Sequence, residues 1–506
     1  MPALPSSPTS LAIELPDEEA TRRLAIDIAA MLAPGDVVTL TGDLGAGKTT
    51  FARALIRHLA GEAIDVPSPT FTLMQVYDLP RFSIVHADFY RLSAPSEVIE
   101  IGFSEATEGA VALIEWPEKA AGLLPIDHLD VSLALDPGRG PGFRDARIVG
   151  HGALATRVDR MSAVRRFLDQ TEFAAAERRH LQGDASSRAY ERLALGDRHA
   201  VLMNAPRRPD GPPVRDGRPY SAIAHLAEDV KPFVAMARAL RERGLSAPEI
   251  YASDLDAGLL ILEDLGSEGI VDESGPIQER YAAAVDVLAE LHHQMLPNVL
   301  PVALGIAHHL PTYDLDALLI EAELLLDWYL PRQGGAIDAD ARAEFIAAWT
   351  ASLQPALVAP PTWVLRDYHS PNLLWLSQRE GVARVGILDF QDAMMGPPAY
   401  DVVSLLQDAR VDVPEAMEVT LLGRYVKARR GTDPGFDAEA FVGLYATLGA
   451  QRATKILGIF ARLDRRDGKP QYLRHLPRVW RSLTRSLSHP LLGTLRTWYQ
   501  HHVREP

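Results

Sequence analysis

The chain has 506 residues, a formal net charge of −16 and no cysteine. That length exceeds what one hydrophobic core usually serves, so we expect two or three domains. The missing cysteine excludes disulfides, thiol nucleophiles and cysteine-based zinc sites, and the acidity excludes binding of nucleic acid through bulk charge. The sequence lacks both a long apolar run and a basic signal segment, so we expect a cytoplasmic protein with no membrane role.

Residues 1–160 alternate between helix and strand signals, which predicts an α/β domain with a largely parallel sheet. A first helix is expected from about Asp17 to Met31, because acidic residues follow a capping aspartate. Apolar runs and their periodicity predict strands at Asp36–Thr41, Phe82–Ala87, Ala110–Glu115, Leu129–Leu135 and Ala146–Val149, and a second helix at Lys48–Leu59. The turn-rich residues 136–142 predict a hairpin loop.

A glycine-rich loop follows the first of these strands and matches the pattern G-x-x-x-x-G-K-[ST]. Such a loop turns backbone N–H groups toward phosphate, and the helix that follows adds about half a positive charge at its N-terminus. We expect Lys48 to reach the β- and γ-phosphates of ATP and Thr49 to ligate Mg²⁺. The predicted nucleotide site consists of Gly42, Asp43, Leu44, Gly45, Ala46, Gly47, Lys48, Thr49 and Thr50.

A site of this kind also needs a carboxylate at the end of a neighbouring strand. Asp88 and Glu115 each end a predicted strand. Either residue is a candidate for holding Mg²⁺, directly or through water, or for orienting the attacking water. A purely structural cap at the strand end is the alternative for each.

Four ordered motifs resemble the TsaE family of small bacterial ATPases, which support threonylcarbamoyl modification of adenosine in tRNA. They are GDLGAGKTTFARAL at 42–55, VPSPTFTL at 66–73, HADFYRL at 86–92 and LIEWPEK at 113–119. The resemblance implies a P-loop NTPase fold, TsaB and TsaD as partner proteins, and ATP hydrolysis that resets the transferase. It implies only an indirect role for tRNA, and a small basic patch at Arg53, Arg57 and His58 is more simply a solvated helix face.

The same resemblance implies roles for individual residues. Thr49 and Glu115 share the magnesium ion, and Asp88 is catalytically important. Thr70 and Thr72 belong to a segment that responds to the nucleotide. Trp116 lies either beside the nucleotide or in the core.

Residues 161–506 form the second predicted domain, with the boundary near residue 160. A helical segment is expected at Ser162–Glu177, and helices dominate after Pro276. Strands are predicted at Tyr190–Leu195, Ala200–Asn204 and Leu259–Leu262, and the Pro/Gly/Arg-rich residues 207–220 predict a mobile loop. This order of strands and helices is compatible with an α+β fold.

Acidic residues typical of a kinase catalytic loop follow within the second domain. Asn372 comes five positions after Asp367, the spacing of the kinase motif D-x-x-x-x-N, and a predicted hairpin of 373–376 with 385–388 ends at Asp389. In this geometry Asp367 accepts the proton of a substrate hydroxyl, and Asn372 and Asp389 hold Mg²⁺ against the phosphates of ATP. A surface loop that carries these residues by chance is the alternative.

Two upstream segments fit the same interpretation. Residues 182–188 lie between strand signals, where a loop that covers the phosphates belongs. Residues 260–266, with Glu263, occupy the place of the hinge between two lobes, where backbone groups meet adenine. Glu263 is therefore a predicted nucleotide-binding residue.

The second domain resembles the aminoglycoside phosphotransferase-like kinases, which are two-lobed and protein-kinase-like. The motifs GDASSRAYERL, LRDYHSPNLLW, LDFQDAMMGP and AYDVVSLLQDAR are most similar to the AmgK family. That family phosphorylates the anomeric hydroxyl of N-acetylmuramate and N-acetylglucosamine during cell-wall recycling. The resemblance implies Asp367 as base, Asn372 and Asp389 as metal ligands, and Asp401 as a structural residue.

One residue departs from this pattern. Kinases of this fold commonly carry a lysine on the third strand, and this chain has Met203 there. Arg188 or Arg192 is the candidate substitute for that lysine.

Two alternatives remain for the second domain. It phosphorylates another small hydroxyl compound, such as an aminoglycoside, choline or homoserine, with Asp392, Asp401 and Asp408 available to a cationic substrate. Otherwise it is a non-catalytic module that brings the ATPase to a partner.

Overall fold

A computed structural model of the protein describes residues 9–120, 122–181, 188–208 and 210–506. The chain divides into two compact units, residues 1–204 and 205–506. Within the described ranges, no helix combines the length and the hydropathy that crossing a bilayer requires. The predicted phosphate-covering loop lies outside the described residues, apart from Arg188.

The first unit is built around a seven-stranded sheet in the order β1-β7-β6-β2-β5-β4-β3. Its strands are β1 (Thr9–Leu15), β2 (Val37–Thr41), β3 (Met74–Tyr77), β4 (Ile84–Asp88), β5 (Val111–Glu115), β6 (Leu129–Leu135) and β7 (Arg144–Gly150). Its helices are α1 (Glu18–Met31), α2 (Lys48–Ala60), α3 (Pro95–Glu100), α4 (Phe103–Ala106) and α5 (Ala153–Asp169). The predicted α/β organisation is confirmed.

The sheet is mixed, so the prediction of a largely parallel sheet was wrong. The strand β2 pairs in parallel with β5 and β6, and β4 pairs in parallel with β5. The other three pairings are antiparallel, because short turns join β3 to β4 and β6 to β7 and because the first strand returns against β7. The predicted hairpin loop at residues 136–142 is the turn between β6 and β7.

The buried strands of this sheet bring their carboxyl ends to one edge. Every residue of β4 and β5 is buried, which agrees with the apolar runs in their sequences. The larger core lies between the sheet and helices α1, α2 and α5, and a smaller one lies under α3 and α4. The loop after β2 and the ends of β4 and β5 therefore meet at one place.

Helix α5 runs through residue 160, where the sequence predicted the domain boundary. It spans Ala153–Asp169, so it starts before the predicted segment Ser162–Glu177 and ends before that segment does. Three antiparallel strands follow it in the same unit, namely β8 (Glu177–Leu181), β9 (Ala189–Leu195) and β10 (Arg198–Asn204). The family boundary near residue 160 stays a prediction.

A buried ion cluster joins these three strands to the first helix. Arg178 of β8 donates hydrogen bonds to both carboxylate oxygens of Glu191 on β9, at 2.8 and 2.9 Å. It also donates to the carboxylate of Asp27 on α1. All three side chains are buried. Strands β8–β10 are thus held against the P-loop sheet by charges that are paired within the unit.

The second unit contains short strands among long helices. Its helices are α6 (Tyr220–Ile223), α7 (Lys231–Arg241), α8 (Gln278–His292), α9 (Leu315–Ala322), α10 (Leu330–Arg332), α11 (Ala339–Val358), α12 (Ala399–Leu406), α13 (Glu415–Thr432), α14 (Ala438–Asp467), α15 (Leu476–Leu487) and α16 (Gly493–His502). Its strands are β11 (Pro213–Arg215), β12 (Arg218–Pro219), β13 (Ile250–Asp254), β14 (Leu259–Glu263), β15 (Val271–Asp272), β16 (Gly275–Pro276), β17 (Val299–Ala303), β18 (Ile306–His309), β19 (Thr362–Val364), β20 (Leu373–Trp375), β21 (Val385–Ile387) and β22 (Met394–Gly396).

Two antiparallel pairs frame the predicted catalytic loop of the second unit. Strand β19 pairs with β22, and β20 pairs with β21, so the predicted hairpin is confirmed. The segment 207–220 contains the ribbon β11–β12, whereas the sequence predicted a mobile loop. Arg215 and Arg218 are paired in this ribbon, and Asp216 between them adopts a left-handed backbone that forms the turn.

Candidate active sites

The phosphate loop of the first unit has the backbone that its glycines predict. Gly42, Gly45 and Gly47 all have positive φ angles, of 135°, 82° and 105°. A Cβ atom on Gly42 would lie 2.1 Å from the carbonyl oxygen of Leu133, so only glycine fits there. Gly47 is the N-cap of α2, and that helix begins at Lys48 as predicted.

Lys48 lies inside this loop. Its ammonium group donates hydrogen bonds to the carbonyl oxygens of Gly42 and Asp43, at 2.7 and 3.0 Å. It also lies 4.0 Å from the ring centroid of Trp116, which is a cation–π contact. Burial lowers the pKa of Lys48 below its ordinary value, while the nearby carboxylates of Glu115 and Asp88 oppose that shift. The structure thus places Trp116 beside the lysine of the loop.

Thr49 and Glu115 are in direct contact. The hydroxyl of Thr49 donates to the Glu115 carboxylate, with distances of 2.9 and 3.0 Å to its two oxygens. Nε2 of His86, on the neighbouring strand β4, lies 2.9 Å from Oε1 of the same carboxylate. Glu115 and His86 are both buried. The carboxylate is therefore held in place from two sides at the end of β5.

Asp88 lies next to Glu115 in the register of the parallel strands β4 and β5. Its carboxylate accepts hydrogen bonds from the Thr70 hydroxyl at 2.5 Å and from the Tyr90 N–H at 2.9 Å. The predicted switch residue Thr70 thus contacts a predicted catalytic residue, while Thr72 is exposed. The catalytic roles of Asp88 and Glu115 stay predictions.

In the second unit, Asp367 lies in a loop whose backbone is fixed by Asp401. The carboxylate of Asp401 is fully buried and accepts the N–H groups of Leu365 and Arg366, at 2.6 and 2.9 Å. Arg366 has a φ of 71°, in the left-handed region that a non-glycine residue rarely adopts. Backbone strain of this kind is common at functional sites. Asp401 has the position expected of a structural residue.

Asn372 and Asp389 come together beside that loop, as predicted. The Asn372 side-chain amide donates to the Asp367 carbonyl at 2.9 Å and to Oδ2 of Asp389 at 3.4 Å. Gln391 donates to Oδ1 of Asp389 at 2.8 Å. Asp389 also has a left-handed backbone, with a φ of 58°. The three predicted residues of the kinase site therefore share one place.

Buried positive charges surround Asp367. Burial acts to raise the pKa of this carboxyl, but Lys455, His369, Arg366 and Arg452 hold it below its ordinary value. Glu321 balances two of these cations, because it forms ion pairs with Arg366 and, at 2.8 Å, with Lys455. Asp367 is therefore ionised at neutral pH, which a group that accepts a hydrogen bond from a substrate hydroxyl requires.

Glu263, the remaining predicted nucleotide-binding residue, is paired with other side chains of the protein. The Glu263 carboxylate accepts hydrogen bonds from the side chains of Arg241 and Arg379. The backbone N–H of Glu263 donates to the Glu249 carbonyl at 2.8 Å. Its part in adenine binding stays a prediction.

Met203 is buried on β10, where a lysine was expected, and is paired with Tyr190 of β9. Since side chains alternate along a strand, Arg192 lies on the same face as Met203. Arg192 accordingly remains a candidate for the missing cation.

Several residues of the two sites escaped the sequence analysis. His86 contacts Glu115, and Gln391 contacts Asp389. Arg144 donates to the Ala46 carbonyl at 2.8 Å and packs against Gly47, although it lies far from the loop in sequence. His86 stands two residues before Asp88 on one strand, so the alternation of side chains was a usable signal. No local signal pointed to Arg144.

Two family models match the chain. The model of the Threonylcarbamoyl adenosine biosynthesis protein TsaE matches residues 15–139, and the model of the Phosphotransferase enzyme family matches residues 177–440. The chain belongs to both families. The two predicted resemblances, and with them the predicted fold classes, are confirmed.

Curated relatives agree with this assignment. An N-acetylmuramate/N-acetylglucosamine kinase of Caulobacter vibrioides is 40% identical over 357 residues, which cover 68% of this chain and 97% of that protein. A protein of the same name from Pseudomonas aeruginosa is 37% identical and covers 62% of this chain and 84% of its own length. A tRNA threonylcarbamoyladenosine biosynthesis protein TsaE of Rickettsia bellii is 46% identical and covers 24% of this chain and 84% of its own length.

Proposed function

We propose that this chain is a bifunctional enzyme with two separate ATP-dependent activities. The TsaE part hydrolyses ATP in support of threonylcarbamoyl modification of tRNA adenosine. The phosphotransferase part transfers a phosphoryl group from ATP to the anomeric hydroxyl of N-acetylmuramate and N-acetylglucosamine. The curated relatives, each similar to one part of the chain, support this division of labour.

The contact between Thr49 and Glu115 is the observation that carries the ATPase proposal. A hydroxyl and a carboxylate are oxygen donors of the kind that Mg²⁺ prefers, and both lie beside a lysine-containing phosphate loop. Thr49 and Glu115 would hold the ion, which neutralises phosphate charge when bound. Asp88, buried at the end of the adjacent strand, would orient the attacking water. TsaB and TsaD proteins are the proposed partners, and the role of tRNA is indirect, through these partners.

The convergence of Asp367, Asn372 and Asp389 carries the kinase proposal. Asn372 and Asp389 offer oxygen donors to Mg²⁺, and Asp367 offers an ionised carboxylate to the acceptor. In the reaction, the sugar oxygen bonds to the γ-phosphorus, the bond from that phosphorus to the bridging oxygen of ADP breaks, and Asp367 takes the hydroxyl proton.

A cationic acceptor such as choline or an aminoglycoside finds little support in this site. The carboxylates considered for such an acceptor are Asp392, Asp401 and Asp408, and each already accepts a backbone hydrogen bond. Asp392 accepts the N–H of Ala227 at 2.7 Å, and Asp408 accepts the N–H of Ser370 at 2.9 Å. Instead, the groups around Asp367 are mainly positive.

A parallel assay of both activities tests the proposal. The full chain is incubated with ATP and Mg²⁺ and either N-acetylmuramate, N-acetylglucosamine, choline or kanamycin, and phosphorylated products are measured by mass spectrometry. ATP hydrolysis is measured separately with and without TsaB and TsaD proteins. We expect phosphorylation of the two N-acetyl sugars alone and a partner-stimulated ATPase. The absence of turnover on both sugars would overturn the kinase proposal. An ATPase activity that TsaB and TsaD proteins do not stimulate would overturn the ATPase proposal.

A further inference from the structure

Arg452 is a nearly buried cation for which the described residues supply no partner. Its exposed fraction is 6%, and within the described part of the chain it forms no hydrogen bond or ion pair. The side-chain nitrogens of Arg452 are not among the fully enclosed, unpaired polar atoms of the described residues, so the guanidinium remains accessible to a small molecule. A desolvated guanidinium with no directly hydrogen-bonded anion is costly, which makes an anionic ligand a suitable complement.

The surroundings of Arg452 place it close to Asp367, the predicted proton acceptor of the kinase site. It lies one helical turn before Lys455 on α14, so the two side chains share a face of that helix. Lys455 contacts Glu321 at 2.8 Å and the Tyr400 hydroxyl at 3.3 Å, and Tyr400 precedes Asp401 in the chain. This face of α14 is therefore turned toward the loop that carries Asp367.

Charge effects agree with that placement. Burial raises the pKa of Asp401 to about 7 and the positive charge of Arg452 opposes that shift, while the same charge helps to hold the pKa of Asp367 below its ordinary value. Arg452 therefore acts on the carboxylate that is predicted to accept the proton of the acceptor hydroxyl.

We propose that Arg452 binds the carboxylate of an acidic acceptor sugar. N-acetylmuramate carries a lactyl carboxylate that N-acetylglucosamine lacks, so this arginine distinguishes two acceptors that share the same reacting hydroxyl. A guanidinium holds a carboxylate through two parallel hydrogen bonds. The inference rests on the proposed kinase function and names the residue that recognises its acidic substrate.

Steady-state kinetics of Arg452→Gln on the full chain test this assignment. We expect the KM for N-acetylmuramate to rise about 10–100-fold, while kcat and KM for N-acetylglucosamine stay within about threefold. Arg452→Lys keeps the charge and should lose less. Arg465→Gln changes an exposed arginine on the same helix and serves as the matched control. Thermal melting checks that each variant is folded.

Three other kinetic results are possible, and each has a different meaning. A fall in kcat for both sugars would assign Arg452 to the transferred phosphoryl group and overturn the carboxylate assignment. Unchanged kinetics in both Arg452 variants would overturn it as well. A wild-type chain inactive on both sugars would instead overturn the kinase function on which the inference rests.

A second and independent observation concerns His128, Asp130 and His151 in the first unit. Their three ligand atoms lie within 4.8 Å of one another. Nε2 of His151 lies 2.9 Å from Oδ2 of Asp130, and Nε2 of His128 lies 3.5 Å from Oδ1. The two histidines flank the paired strands β6 and β7 and are joined by a backbone hydrogen bond of 2.9 Å. The cluster is therefore built on a rigid pair of strands.

Neighbouring groups orient two of these three side chains. Nδ1 of His128 donates to the Pro125 carbonyl at 2.8 Å, so Nε2 presents its lone pair toward Asp130. The Thr39 hydroxyl donates to the Asp130 carboxylate. A carbonyl behind a histidine is the usual arrangement around a metal-binding imidazole. The side chains are partly exposed, which leaves room for a water ligand.

We infer a site for a divalent transition metal of the Zn²⁺ type at this cluster, with two imidazoles and one carboxylate as ligands. Chelator-treated, tag-free full chain is titrated with Zn²⁺ by calorimetry and with Co²⁺ by visible absorption. We expect one Co²⁺ per chain with an intense four- or five-coordinate spectrum, lost in the variant with His128→Gln and His151→Gln. His199→Gln changes an exposed histidine of the same unit and should leave binding intact. A spectrum of hydrated Co²⁺, or equal binding by the double variant, would overturn the site.

Discussion

The hydroxyl of Thr49 hydrogen-bonds the carboxylate of Glu115, two residues that lie 66 positions apart and meet where β5 ends. If this pair holds magnesium for ATP hydrolysis, Thr49→Val should reduce the partner-stimulated ATPase by about 10²-fold or more, because a hydroxyl ligand is lost. Sugar phosphorylation by the same protein should not change. A coupled ADP assay and a sugar-phosphate assay on one preparation measure both.

The control for this variant is internal, since the kinase reports that the chain is folded. Loss of both activities together would contradict the view that the two sites work independently.

The second prediction concerns the proton acceptor of the kinase. Asp367→Asn should reduce phosphorylation of N-acetylglucosamine by about 10²–10⁴-fold, the usual contribution of a positioned general base. ATP hydrolysis by the TsaE part should stay at the wild-type rate. The matched control is Asp412→Asn, which changes an exposed carboxylate of the same unit. A variant that still phosphorylates the sugar at the wild-type rate would show that Asp367 is not the proton acceptor.

The third prediction concerns the buried ion cluster behind Asp367. Glu321 is fully buried and pairs with Arg366 and Lys455, and these cations lower its pKa to about 2 against the effect of burial. Glu321→Ala leaves two buried cations without their anion, so we expect a loss of about 3–5 kcal/mol in the free energy of unfolding. Urea unfolding followed by tryptophan fluorescence measures it.

The control is Glu344→Ala, which removes an exposed carboxylate from α11. Equal stability of the two variants would mean that the Glu321 cluster makes no net contribution to the free energy of unfolding.

The fourth prediction is a loss of stability in acid that depends on His58. Burial lowers the pKa of His58 to about 4, below the value of about 6.5 in an unfolded chain. The unfolded state then binds the extra proton first, so the stabilising effect is complete above pH 6.5 and is lost as the pH falls toward 4. The shift corresponds to at most roughly 3 kcal/mol. Thermal melting between pH 7.5 and pH 4.5 measures the effect.

His58→Asn removes the titrating group and should flatten this pH dependence. A variant whose melting temperature falls with pH as steeply as that of the wild type would assign the acid sensitivity to other groups.

The sequence predicted features that local patterns encode. The phosphate loop, its flanking strand and α2 follow from glycines, β-branched residues and helical periodicity within about twenty residues. The kinase triad was found because Asp367 and Asn372 share one loop and Asp389 ends the following hairpin. Residue spacing along the chain was enough to predict these residues, but not their neighbours His86, Gln391 and Arg144.

Features that depend on distant partners were not predictable in this way. Arg178 hydrogen-bonds Asp27, which lies 151 positions away in the sequence, and no local sequence pattern predicts that pairing. The unpaired state of Arg452 is defined by what surrounds it in space. The start of α5 was predicted too late for a different reason. Leu154, Val158 and Met161 have helical spacing, but a domain boundary was expected near residue 160, within this helix.

The ion cluster of Arg178, Asp27 and Glu191 also constrains how this chain can change over generations. Arg178 pairs with both carboxylates, so its loss leaves two buried carboxylates without this partner, which costs several kcal/mol. Loss of either carboxylate alone still leaves Arg178 paired with the other one. Arg178 should therefore change least over generations, whereas Asp27 and Glu191 can each be exchanged while the other is kept.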